Sequence, residues 1–302
     1  MSESTTLQLD AREPYLADHR PGGVPLLPTA LCLEALAGAC ARLRPGIALE
    51  ARDVRVGEPC LVPAGECLTV QALLEGTPAH DGTLLATLCS GMADGPRRTH
   101  MRARFTPRAV ASLDGFAGGL PRGRTDAPAI SATRVEMPVT GALVYRQFFH
   151  GPAYQVVASS GWSGDRLVAR LAQGLPPLRR PDPATGVLAP RLLELALQAA
   201  GLLELARSGR SMIPHAIDSV QQLLPLDEAS GGELLAFAGV APAAGAIDID
   251  VCAEADGRCV LRVRGYRTAP LPFANDPRSL AALAAALRAC QPPLATTAHG
   301  AH

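Results

Sequence analysis

Apolar and polar positions along the chain fall into two kinds of run. From Thr29 to Arg44 the sequence reads TALCLEALAGACARLR, with Leu31, Ala35, Leu36 and Ala39 recurring on one stripe of helical period. Pro28 and Thr29 supply a start and Pro45-Gly46 a stop. From Pro190 to Ser208 (PRLLELALQAAGLLELARS) apolar residues occur nearly all round, which predicts a helix wrapped by other structure. A shorter helix is predicted after Asp276-Pro277, with Asp as N-cap and Pro at the first position.

Around these lie shorter runs that predict strands. Cys67 to Leu74, Leu84 to Met92 and Thr99 to Phe105 follow the first helix, the last two joined by a turn at Ala93-Asp94-Gly95-Pro96. Glu233 to Val240, Ala246 to Ala253 and Arg258 to Tyr266 follow the second, with Asp256-Gly257 as a hairpin turn. Thr99 to Phe105 sets Met101, Ala103 and Phe105 on one face, and Arg98, His100, Arg102 and Arg104 on the other. Ser112 to Pro128, rich in Gly and Pro, reads as a linker between two halves. Each half has one long buried helix and a set of antiparallel strands, so the class is α+β with the pattern occurring twice. The residues after Cys290 (QPPLATTAHGAH) read as a disordered tail.

Composition narrows the chemistry. The chain has 302 residues, 48% of them hydrophobic, which suits a sizeable core. Its 28 basic residues balance 28 acidic ones, removing the electrostatic case for nucleic acid or an anionic membrane as main partner. All the basic residues are arginine, so Schiff-base, P-loop and other lysine chemistry is excluded. Eight cysteines are scattered without a CxxC spacing or a His cluster, against a zinc site. Met1 to Asp10 is polar, with no signal-peptide core, and no run of about 18 apolar residues suggests a membrane span. The expectation is a soluble, reduced, cytoplasmic protein.

Three places could carry a reaction. His19 precedes a Gly/Pro-rich loop (DHRPGGVPLLPTA) that leads into the first helix, bringing backbone close to whatever His19 faces. Glu194 and Gln198, four apart, share one face of the otherwise apolar second helix. A carboxyl buried there has its pKa raised, and a neutral carboxyl is what a general acid requires. Phe149-His150-Gly151-Pro152-Ala153-Tyr154 makes a turn after a short helix-like stretch, Gly141 to Phe149. Taken singly, each also fits a bland role: a loop histidine, a first-turn glutamate favoured by the helix dipole, a plain helix-to-strand turn. His215 reads as a structural histidine and the arginine face of Thr99 to Phe105 as a solvated strand face.

Taken together, the segments resemble the dehydratase domains of polyketide synthases and polyunsaturated fatty acid synthases. The family's HxxxGxxxxP motif is matched by His19, Gly23 and Pro28. Its Gly-Pro turn, of the LFHGPxF type, is matched by Phe149, His150, Gly151, Pro152 and Tyr154, with Tyr where Phe is usual. Its DxxxQ motif inside a Leu/Ala helix is matched by Glu194 and Gln198, with glutamate where the family has aspartate. The order agrees, and the likeness runs over about residues 7–272.

The resemblance implies a double hotdog: two antiparallel sheets, each wrapped around a long central helix. It implies an N-terminal hotdog over 1–111, a linker over 112–128, a C-terminal hotdog over 129–272, and a tail over 273–302. It implies removal of water from a 3-hydroxyacyl thioester held on acyl carrier protein. His19 would be the base, Glu194 the acid and Gln198 the residue that aligns it. Gly23, Pro28, Gly151, Pro152 and Tyr154 would shape the substrate pocket, with backbone N–H groups near Gly23 or at a central helix N-terminus polarising the thioester carbonyl. No metal or redox cofactor is expected, since the phosphopantetheine arm arrives with the carrier. A ketosynthase and a second copy of the chain are further expected partners. The longer acid leaves two other outcomes open: a double-bond isomerase or cyclase, and a non-catalytic acyl-binding subunit.

Overall fold

Twelve strands and five α-helices follow one another along the residues that the computed structural model describes, namely 2–46, 48–76, 82–91, 96–108, 135–178, 187–224, 233–243, 245–270 and 277–292. The first half holds β1 (Ser2–Asp10), α1 (Pro14–Ala17), α2 (Thr29–Leu43), β2 (Ala48–Val56), β3 (Cys67–Gly76), β4 (Leu84–Ser90) and β5 (Arg98–Arg108). The second holds β6 (Val139–Thr140), α3 (Gly141–Val144), β7 (Val157–Ser163), β8 (Arg166–Leu171), α4 (Pro190–Ser208), β9 (Met212–Gln222), β10 (Leu234–Val240), β11 (Ile247–Ala253), β12 (Cys259–Pro270) and α5 (Pro277–Ala289). The turn at 93–95, the 112–128 linker, the Asp276 cap and the tail from 293 on fall outside the described residues.

Helix α4 forms as its composition predicts. Leu and Ala are strong helix formers, Pro190 occupies the first turn, and Gly209 ends it in the left-handed region at φ 69°. Thirteen of its nineteen residues are buried, among them Glu194 and Gln198, because β7 to β12 pack against it on one side and α2 and α5 on others. Truncating one of its fully buried leucines, such as Leu195, removes core contacts worth about 2–5 kcal/mol. Helix α2 packs against β2 to β5, and its buried face is Cys32, Leu33, Leu36, Ala37 and Cys40. The predicted stripe is therefore turned: Leu36 and Ala39 are buried, but Leu31 and Ala35 are only half-buried. The contact with α4 widens and rotates the covered arc beyond what a sheet alone would cover.

Glu34 ties α2 to the start of α4. Its two carboxylate oxygens accept the backbone N–H groups of Val187 (2.8 Å) and Leu188 (2.7 Å), directly before the helix. Burial raises its pKa to about 7, and the two N–H groups only partly offset that.

The strands form one continuous sheet, ordered β1-β3-β4-β5-β2-β9-β12-β11-β10-β8-β7-β6, with every described pair antiparallel. The expected two separate sheets are corrected here, since β2 pairs with β9 from Glu50↔Gln221 to Arg55↔Ala216. Joining edge to edge satisfies backbone groups that two separate sheets would each leave open. Strand β1, which the sequence presents only as a polar leader, pairs along its whole length with β3. In β5, Met101, Ala103 and Phe105 face the core and Arg98, Arg102 and Arg104 face solvent, as the alternation predicts. His100 does not follow the arginines. A register shift against β4 turns it inward, where its Nδ1 meets the Glu58 carbonyl (2.9 Å) and its Nε2 the Ser90 hydroxyl (2.8 Å).

Candidate active site

The His19 loop and the Gly-Pro turn are bolted together by backbone. Gly151 N donates to the Asp18 carbonyl (2.7 Å) and Ala153 N to Asp18 Oδ2 (2.8 Å). The approach is so close that a Cβ at Gly151 would come within 2.6 Å of Asp18 Oδ1. His19 and His150 pair as an isolated bridge, which sets their rings 5.3 Å apart. Residues from the two halves of the chain therefore meet at neighbouring backbone positions.

His19 is buried, with its ring against the edges of Phe149 and Tyr154. Its Nδ1 lies 2.7 Å from the carbonyl of Leu26. A carbonyl only accepts, so Nδ1 carries the proton and Nε2 keeps a free lone pair. Burial, with the charge of His150, lowers the His19 pKa to about 4, against an upward pull from Glu194 and the Leu26 bond. The imidazole is thus neutral at neutral pH.

Glu194 and Gln198 lie on the same face of α4 and are buried. Gln198 is held at both ends of its amide. Nε2 donates to Glu194 Oε1 (3.0 Å) and to the Tyr154 carbonyl (3.0 Å), while Oε1 accepts from the Tyr145 hydroxyl (2.8 Å). Tyr145 in turn accepts from Val157 N (2.7 Å). On the other side, His150 Nε2 lies 3.2 Å from Glu194 Oε1, with its ring stacked on Phe149. This changes the expectation for the acid. Burial alone pushes the Glu194 pKa up, but the hydrogen bond from His150 and the charges of His150 and His19 outweigh it, and the net direction is down. His150 and Tyr145 join this hydrogen-bonded group without having been assigned a role from the sequence. His150 was visible only as a motif letter, and nothing along the chain points Tyr145 at Gln198.

His19, His150, Glu194 and Gln198 line one cavity of about 270 Å³, together with Thr29 at the N-terminus of α2 and apolar residues of both halves. His215, exposed, is also among the lining residues. The expected pocket-shaping residues act from behind it. Gly23, Pro28, Gly151, Pro152 and Tyr154 are not among the lining residues. Gly23 takes a positive φ of 85° in the turn that closes residues 19–26, and its N–H is already given to the Arg20 carbonyl (3.0 Å), so it is not available to a thioester. Pro28 is the N-cap of α2. Tyr154 is fully buried and its hydroxyl donates to the Tyr15 carbonyl (3.1 Å), pinning the turn to α1. Among the described residues, no group of three or more His, Cys, Asp or Glu side chains could hold a metal ion, and no helix is long and apolar enough to cross a membrane.

A buried imidazole from one half and an amide-bonded carboxyl from the other thus line one cavity. Two family models match the chain: polyketide synthase dehydratase N-terminal domain over residues 123–278, and polyketide synthase dehydratase domain over residues 3–89. The chain belongs to the polyketide synthase dehydratase family. It is 30% identical over 271 residues to polyketide synthase ThaG of Burkholderia thailandensis, a match that takes in 86% of this chain and 4% of that much longer protein. The fold is similar to that of the dehydratase domain from the CurF module of curacin polyketide synthase (TM-score 0.71, 16% identity, 89% of this chain and 93% of that one). It is also similar to a trans-AT polyketide synthase dehydratase domain from Brevibacillus brevis (TM-score 0.70, 20% identity, 89% and 94%). Those domains share the double hotdog architecture.

Proposed function

We propose that this chain removes water from a 3-hydroxyacyl thioester presented on acyl carrier protein. The observation that carries the reading is the convergence of a neutral, correctly protonated His19 and an amide-held Glu194 on one apolar cavity. His19 Nε2 takes the proton from the carbon next to the thioester carbonyl. The electron pair of that C–H bond becomes the new double bond, and the bond from the β-carbon to its hydroxyl breaks. Glu194 supplies the proton that turns the departing hydroxyl into water. In the free site the hydrogen bond from His150 and the charges around it hold the Glu194 pKa down, so the acid takes up its proton on the way to the transition state; a bound acyl chain, by excluding water, pushes the carboxyl toward that neutral form.

Gln198 is a positioning residue, since both ends of its amide are occupied by protein. Nδ1 of His150 is buried without a hydrogen-bond partner, which leaves it open to the polar part of the bound substrate. The N-terminus of α2, at Thr29, supplies a further positive end for charge developing on the thioester oxygen. The phosphopantetheine arm belongs to the substrate and needs no resident cofactor. Carrier protein and a ketosynthase are the partners this chemistry calls for, in the cytoplasm, with a homodimer as the simplest assembly.

The test is to incubate the protein with 3-hydroxyacyl carrier protein and follow the acyl mass. Loss of one water that His19→Ala abolishes supports the reading. Unimpaired dehydration by His19→Ala removes the assigned base. A product of unchanged mass, with a shifted double bond or a ring, replaces dehydration by isomerisation or cyclisation.

A further inference from the structure

Gly201 is a glycine that the backbone does not require. It lies inside α4, is absent from the residues of positive φ, and occupies a position where glycine is among the least favourable choices. Close approach does not demand it either. A Cβ at Gly141 or Gly161 would strike a backbone carbonyl, that of Val157 or Glu136, and one at Gly151 would strike Asp18. A Cβ at Gly201 would meet only the tip of the Phe148 ring, at 3.6 and 3.8 Å, which is ordinary van der Waals contact.

What Gly201 does border is the cavity. Glu194, Leu197, Gln198 and Gly201 all line it, at spacings of three, four and seven, so the cavity follows one face of α4 for two turns. Seven residues of helix rise about 10 Å, which carries the space well beyond the acid. Phe148 faces Gly201 there, and Met212, Ile213, Tyr266 and Ala269 line the same cavity beside the polar Ser211 and His215, a mainly apolar wall that suits an aliphatic chain better than the amides of a pantetheine arm. Gly201 is half-buried although its helix neighbours Ala200 and Leu202 are fully covered, because it opens onto this space.

We infer that Gly201 determines substrate length: its missing side chain leaves the room in which the tail of a medium or long acyl chain lies, past Gln198. This rests on the dehydratase reading of the same site, and it names the substrate class as thioesters with an extended apolar tail.

The test compares 3-hydroxybutyryl and 3-hydroxydecanoyl thioesters of the carrier protein with the wild type, Gly201→Ala and Gly201→Leu. The wild type is expected to dehydrate both. Gly201→Leu is expected to lower kcat/KM for the decanoyl substrate by about tenfold or more while leaving the butyryl substrate nearly unchanged. Gly201→Ala is expected to shift the ratio in the same direction by less, while its melting temperature rises by about 1–3 °C, as removing a mid-helix glycine predicts. That rise separates loss of room from loss of fold, and Gly201→Ala carries the test if the leucine variant does not fold. An equal loss on both substrates, which would place the shared pantetheine arm beside Gly201, overturns the inference, as does no change on either. Failure of the wild type on every chain length would instead overturn the dehydratase reading.

Discussion

His150 Nε2 and Glu194 Oε1 lie 3.2 Å apart, and this contact decides the charge of the acid. An isolated buried carboxyl at this point of α4 would be driven toward its neutral form. With His150 against it, between the acid and His19, the carboxyl is held below its ordinary value. A histidine from the turn after α3 therefore sets the state of a glutamate on α4.

Replacing His150 by Phe keeps an aromatic ring on Phe149 and removes the nitrogen. Burial then acts unopposed except by His19 and Gln198, so the Glu194 pKa should move from below 4.5 to above it. The groups facing the carboxyl that remain are His19, Gln198, Tyr145, Tyr154 and Tyr266. Infrared titration of the carboxyl band, compared with Glu194→Gln to assign it, reads the shift. Glu194→Gln itself should lower dehydration by about 10²–10⁴-fold, the usual worth of a general acid.

The His19 imidazole should stay neutral down to about pH 4 in the folded protein, against 6.5 for an unperturbed ring. An NMR titration of the ring should find the Nδ1–H tautomer throughout the neutral range. The sign for stability follows: between those two values the unfolded chain binds the proton and the folded one does not. Acidification through that window destabilises the fold, and the effect of this residue levels off below about pH 4. His19→Gln should flatten that part of the wild-type curve.

Gly151→Ala should loosen the junction of the two halves. The new methyl collides with Asp18, whose backbone and carboxylate both hold the turn, so one of these contacts must shift. A cost of about 1–3 kcal/mol is expected, visible as a lower denaturation midpoint. Activity measured well below that midpoint should fall as well, because the same shift moves His19 relative to His150.

Glu34 should make stability depend on pH in the opposite sense to His19. Its folded pKa of about 7 lies above the ordinary 4.5, so the folded state holds the extra proton in between. Stability therefore falls as pH rises from about 4.5 to 7 and is level above that. Glu34→Gln should abolish this part of the slope. It should also cost about 1–3 kcal/mol at every pH, since Val187 N and Leu188 N donate to separate oxygens and the amide sets an NH2 group against one of them. Urea denaturation of both proteins across pH measures the two effects.

Helices α2 and α4, the alternation in β5 and the three site segments were readable along the chain because each is a local pattern: a period, a cap, a turn residue, a motif spacing. Glu194 and Gln198 could be singled out as polar groups in an otherwise apolar helix, and His19 as the histidine before a Gly/Pro-rich loop that leads into one. Strands β1, β2 and β6 to β9 were not read in that way. β1 runs along a sheet edge and shows polar residues. β2 breaks its alternation where Asp53 takes a positive φ, and β9 carries Pro214 and an exposed His215.

Pairing of β2 with β9 links residues more than a hundred positions apart in sequence, and no local pattern encodes which edges will meet. The same limit applies inside the site. Residue types and spacing marked the candidate positions, and the resemblance to the dehydratase family gave them the roles of base, acid and aligning amide. Only the packing of the Gly-Pro turn against α4 brings His150 to Glu194 and Tyr145 to Gln198, and only that proximity shifts a buried carboxyl's proton. Charge interactions depend on distance through space and on exclusion of water, and those quantities exist only once the chain has folded.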